Sequence, residues 1–179
     1  SGKTEIYKKL ITKCFNNKKT IILLLPEVSL CLQFQHILEK GLPKDLPVFG
    51  FHSATKPSAK TKLWKLLKEQ EPCLIIGVHL PITLPVPNLG LIIVDEEHET
   101  GFQEKKHPMI NSKELAIWRS KIYQIPIVLG SATPSVNSLY NAKQNNWKMF
   151  SLTKRFAGAF PKIKIVSLSE NKRRKHFWI

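Results

Sequence analysis

Short apolar runs alternate along the chain with longer stretches in which apolar residues recur every three or four positions. The runs at 20–25, 47–51, 73–77, 91–94 and 125–129 are rich in Ile, Val and Leu. Runs this short and continuous predict strands covered on both faces. Between them, 4–15, 28–39, 58–69, 112–121 and 135–142 carry helical periodicity: Ile6, Leu10, Ile11 and Cys14 share one helical face, and Leu63, Leu66 and Leu67 another. The alternation predicts βα units and an α/β fold, a mostly parallel sheet with helices on both faces. Pro81, Pro85 and Pro87 predict an extended loop over 80–88. Beyond 150 the pattern changes; 162–168 is expected to add an edge strand and 170–176 is a basic charge run. The expected organisation is one domain, 1–152, followed by a basic linker or edge strand, 153–179.

Composition narrows the class. At 179 residues and 42% hydrophobic, the chain can bury an ordinary core. Its 28 Lys and Arg against 13 Asp and Glu give a formal charge of +15, which points to a polyanionic partner, nucleic acid ahead of anionic lipid. Cys14, Cys31 and Cys73 are far apart, so neither disulfides nor a zinc site is expected. No signal segment and no membrane-spanning run is legible, and a cytoplasmic location with no membrane partner is expected. The chain opens at Ser1, inside a motif and without an initiator Met, and is expected to be a fragment. Trp64, Trp118 and Trp147 fall in amphipathic segments and are expected to pack; Trp178 lies in the terminal linker.

Three strings carry chemistry. Ser1, Gly2, Lys3 and Thr4, opening a helix, form the second half of a phosphate-binding loop. Gly2 lets the backbone approach the phosphates, Lys3 neutralises their oxygens, Thr4 offers a hydroxyl to Mg²⁺, and the helix N-terminus adds its positive end. The run 91–98 ends an apolar strand in Asp95, Glu96, Glu97 and His98. Asp95 is suited to hold Mg²⁺ and Glu96 to accept a proton from the attacking water. The run 128–134 ends another strand in Ser131, Ala132 and Thr133, whose hydroxyls are expected to bond the acidic motif, with His98, and to couple it to the rest of the molecule.

In this order the three strings resemble the first RecA-like domain of superfamily 2 helicases, a P-loop NTPase fold. Pro26 and Glu27 with Gln33, His52 and Ser53, the run 87–98, and 130–135 with 138–142 narrow the resemblance to the PriA family, from Ser1 to about Val166. The resemblance implies an ATP- and Mg²⁺-dependent 3′-to-5′ DNA helicase. It would act in primosome assembly and replication fork restart on single-stranded and forked DNA. It also implies a second RecA-like lobe, primosome proteins and single-strand-binding protein as partners, with zinc confined to a module outside this chain. Pro26, Glu27, Gln33, His52, Ser53, His79, Phe102, Lys105 and Lys106 fall at positions the family turns towards DNA.

The hydrolytic residues are kept, whereas several positions of the loops expected to face DNA depart from the family pattern. The family's Gly-Thr-Arg-Ser-Ala is replaced by Gly77, Val78, His79, Leu80 and Pro81, and Met109 and Ile110 replace an Arg-Tyr pair. Cys31 stands where Thr is common. A weaker grip on DNA, with the hydrolytic residues retained, is therefore expected. The chain on its own is expected to bind ATP poorly and to be inactive. Two other readings stay open: a different superfamily 2 nucleic-acid translocase, or a basic nucleic-acid-binding module with a vestigial ATP site.

Overall fold

The computed structural model describes residues 2–104, 107, 109–144 and 147–153, apart from the Glu39 side chain. Five strands, β1 (Thr20–Leu24), β2 (Val48–Gly50), β3 (Leu74–Gly77), β4 (Leu89–Asp95) and β5 (Ile127–Gly130), form one sheet in the order β2-β3-β1-β4-β5. All four pairings are parallel. Five helices accompany them: α1 (Lys3–Asn16), α2 (Val28–Glu39), α3 (Pro57–Lys68), α4 (Ser112–Tyr123) and α5 (Val136–Gln144). The ten elements fall where the periodicity put them, with ends shifted by a residue or two.

The apolar runs explain why the sheet is central. Alternate side chains of β1, β3 and β4 enter different cores. Ile22, Leu24, Ile75, Ile92 and Val94 pack with Leu63 and Leu67 of α3 and Ala116 of α4. Ile21, Leu23, Leu74, Ile76, Leu91 and Ile93 pack with Tyr7 and Ile11 of α1 and Cys31 and Leu38 of α2. Helices thus cover both faces, as the two-sided hydrophobicity of the strands requires. The chain leaves β1 through α2 on one face and leaves β4 through α4 on the other. The reversal lies between β1 and β4, at whose carboxyl ends ligands of open α/β sheets bind.

Several expectations change. The loop over 80–88 contains a short 3-10 helix, Leu80–Thr83, pinned to α4 where Arg119 donates to the Ile82 carbonyl at 2.6 Å. A second, Thr100–Phe102, follows the acidic motif. The inward face of α1 is Tyr7 and Ile11, whereas Ile6 is 40% exposed. Trp64 and Trp118, expected to pack, are 47% and 61% exposed; they sit on the outer sides of α3 and α4. Cys31 and Cys73 are buried and Cys14 half-buried, and loss of hydration pushes each thiol up to about 11. Ser1, Lys105, Lys106, the expected strand at 162–168, the charge run at 170–176 and Trp178 lie outside the described residues.

Candidate functional site

Helix α1 starts at the carboxyl edge of the sheet. Its N-cap, Gly2, has φ 84°, a left-handed conformation that glycine adopts without penalty. No side chain caps this end, so the first-turn N–H groups remain available to an anion. Strand β4 delivers its acids to the same edge. Lys3 Nζ lies 2.9 Å from Asp95 Oδ1 and 2.6 Å from Glu96 Oε1, and the Tyr7 hydroxyl donates to Asp95 Oδ1 at 2.8 Å. Burial draws the Lys3 ammonium down, but its bonds to Glu96 and Asp95 outweigh that and hold it above the ordinary lysine value. Burial first, and then the Asp95 charge, push the Tyr7 phenol well up, so Tyr7 remains a donor.

Glu96 has φ 51°, a region that costs a side-chain-bearing residue about 1–2 kcal/mol. Among the described residues, the other three non-glycine residues in this region follow helices: Lys18, Gln70 and Gln124. Glu96 follows a strand, and strain of this kind clusters where a side chain must be aimed.

Behind Glu96 the next carboxylate faces inward. Glu97, 2% exposed, accepts from the Ser135 N–H at 2.7 Å, the Ser135 and Ser138 hydroxyls at 2.9 Å each, and Lys113 Nζ at 3.1 Å. Burial works to raise its pKa, and these four donors together hold it below the usual carboxylate range. The Glu97 N–H also donates to the Gly130 carbonyl at 3.0 Å. The acidic motif is thereby joined to the loop after β5 by backbone and side chain.

Of the expected coupling residues, Ser131 Oγ lies 2.7 Å from His98 Nδ1, which in turn lies 3.7 Å from Glu96 Oε2. Thr133 contributes its backbone N–H, donating to Ser131 Oγ at 3.0 Å, while its side chain is exposed. The hydroxyls that bond an acid are instead Ser135 and Ser138. Their role and that of Tyr7 had no local signal, because the partners lie 38, 41 and 88 residues away.

The residues expected to face DNA divide. Glu27, Gln33 and Ser53 are exposed, Pro26 is buried, and all but Gln33 lie where β1 and β2 leave the sheet. His52 is buried; burial and then the Lys60 charge lower its pKa. His79, after β3, lies 3.2 Å from Ser112 Oγ through Nδ1 and 3.8 Å from Glu104 through Nε2. Phe102 is a correction. It is 1% exposed and belongs to the core beside α4, so its ring offers no face to a base. The Ser112 hydroxyl holds its carbonyl at 3.2 Å.

Gly130 pairs in register with Asp95. A Cβ there would run into the Tyr7 hydroxyl and meet Asp95 Oδ1 at 2.8 Å. Gly130→Ala is expected to destabilise the protein by about 1–3 kcal/mol through overpacking and to displace Tyr7 from Asp95. Urea unfolding measures the first effect; combined with Tyr7→Phe, the second substitution should add less than it does alone.

Among the described residues, no group of three or more His, Cys, Asp and Glu is placed to hold a metal ion, and no helix is long and apolar enough to cross a membrane. A parallel sheet with an uncapped helix N-terminus, a lysine and two strand-end carboxylates at one edge defines a RecA-like P-loop nucleotide-binding domain. The DEAD/DEAH box helicase family matches residues 1–142. The chain belongs to the DEAD/DEAH box helicase family.

Over 174 residues it is 34% identical to the replication restart protein PriA of Bacillus subtilis (strain 168), covering 97% of this chain and 21% of the relative. Over 171 residues it is 35% identical to that of Chlamydia pneumoniae, covering 94% and 23%. The chain thus spans less than a quarter of the length of these relatives. In structure it is similar to RecG bound to a three-way DNA junction, with a TM-score of 0.58 and 22% identity over 82% of this chain and 18% of that one; at this identity the likeness concerns the fold.

Proposed function

We propose that this chain, 1–152 as the domain and 153–179 as its linker, is the nucleotide-binding lobe of an ATP-driven 3′-to-5′ DNA helicase serving replication restart. The observation that carries the reading is the meeting of Lys3 with Asp95 and Glu96 at 2.9 and 2.6 Å, across 93 residues of sequence in the case of Glu96. The donor set suits a metal-bound triphosphate. An ammonium, a hydroxyl and an uncapped helix N-terminus match phosphate oxygens, and Mg²⁺ takes few protein ligands, usually one or two carboxylates.

Bound MgATP supplies the phosphoanhydride whose hydrolysis drives movement. Gly2 would line the phosphates with backbone, joined by Ser1 outside the described residues; Lys3 would neutralise them, and Thr4 and Asp95 would hold Mg²⁺, with Tyr7 fixing the Asp95 carboxylate. Glu96 accepts the proton of the attacking water. His98, Ser131 and Thr133 relay the state of that site. Glu27, Gln33, Ser53 and His79 are the described residues that would contact DNA, with Pro26 and His52 buried; Lys105 and Lys106, outside the described residues, would add to that contact. A second RecA-like lobe closes the cleft, and forked or single-stranded DNA, primosome proteins and single-strand-binding protein are its partners in the cytoplasm.

Lys3→Ala tests the assignment. Loss of one charge-assisted contact should weaken MgATP binding by the intact protein about ten- to a hundred-fold. Calorimetry reads the change, and an unaltered affinity refutes the assignment.

A further inference from the structure

The exposed tryptophan of α3 has no role in the nucleotide site. Residues 56–68 contain five lysines, Lys56, Lys60, Lys62, Lys65 and Lys68, and no acid. Leu63 and Leu67 turn into the core, which fixes the helix rotation. Trp64 then lies four residues from Lys60 on one side and four from Lys68 on the other, so the three form one stripe. The Trp64 side chain, 47% exposed, is an apolar plate set among ammonium groups.

Among the described residues, the only acid paired with this face is Glu69, just beyond the helix, at 4.0 Å from Lys65, whose side chain is 76% exposed. An exposed pair at that distance neutralises little. Lys60 leans over the Phe51 ring at 5.8 Å, and after burial its charge is the second cause that lowers the pKa of the neighbouring His52. Nothing described on this face offsets that charge.

A lysine stripe attracts phosphates, and an aromatic plate between the lysines accepts a base; together they are the elements of single-strand recognition. We infer that the Lys60, Trp64, Lys65 and Lys68 face of α3 is a binding surface for single-stranded nucleic acid, outside the nucleotide cleft. A base stacks on Trp64 while the lysines contact the flanking phosphates. The surface is on the side of the sheet opposite α1 and at its β2 end, so it would hold a strand apart from the one that crosses the carboxyl edge. It does not depend on the nucleotide assignment, and its test is made without nucleotide.

The test is fluorescence anisotropy of a labelled oligo-dT with the intact protein across a salt series. Trp64→Ala should weaken binding about ten-fold, and Trp64→Phe, which keeps an aromatic face, should recover most of it. The Lys65→Gln/Lys68→Gln pair should lower the slope of log affinity against log salt by about 1.4. Circular dichroism confirms that each variant is folded. Wild-type affinity in Trp64→Ala overturns the proposal, as does weakening by the lysine changes with no effect at Trp64. Binding of phosphatidylserine vesicles that requires Trp64, with oligo-dT binding unaffected by the substitution, assigns the face to a membrane and overturns it too.

Discussion

Glu96→Gln in the intact protein is expected to reduce ATP turnover about 10²- to 10⁴-fold, the usual worth of a positioned general base, while MgATP affinity changes by no more than a few-fold. The amide keeps the size of the carboxylate and its hydrogen bond to Lys3, but it cannot take up a proton. The backbone should accept it: Gln70 and Gln124 in this chain adopt φ 55° and 51°, beside 51° at Glu96. A loss of turnover therefore reports chemistry and not distortion. Single-turnover hydrolysis separates the steps, and turnover within ten-fold of wild type would remove Glu96 from the role of base.

The second large effect is on stability. Glu97→Ala takes one carboxylate from among four donors and leaves the ammonium of Lys113, whose side chain is only 11% exposed, with the longer 3.9 Å contact to Glu114. Breaking a buried pair from one side costs about 3–5 kcal/mol, and urea unfolding of the full chain should show it. Lys113→Met combined with Glu97→Gln should recover part of the loss, since the buried ammonium that had lost its nearer partner is then gone.

The pH dependence has a definite sign. Because the folded Glu97 is held below its ordinary value, its contribution is complete above the unfolded carboxylate value of about 4.3 and disappears as pH falls through the lower folded value. Wild-type stability should fall in that acid window more steeply than that of Glu97→Gln. Parallel curves would refute the linkage.

Much of the fold was legible because its strands are buried on both sides and so read as unbroken apolar runs. The ends of β4 and β5 could be found the same way, since each run stops in polar residues. What escaped depends on partners distant in sequence. Tyr7 was passed over in favour of Ile6 because its hydroxyl looks polar until Asp95 is brought against it. Glu97 was one acid in a string of three, and only the fold turns it inward to Ser135 and Ser138. Phe102 was expected to face DNA because it falls in the loop that the family turns that way, yet the 3-10 turn at Thr100–Phe102 tucks its ring beneath α4. Trp64 erred in the opposite direction: helical spacing shows that a face exists, but a large residue at its margin can be placed on either side.

The register of β4 on β5 sets Asp95 level with Gly130, and the bonds from Glu97 to Gly130, Ser135 and Ser138 leave no slack between the two strand ends and the first turn of α5. A push on α5 is therefore a push on the acids. The side-chain bonds from Glu97 to Ser135 and Ser138 bridge the loop 131–135, so a displacement of that helix would reach the acids without passing along the loop.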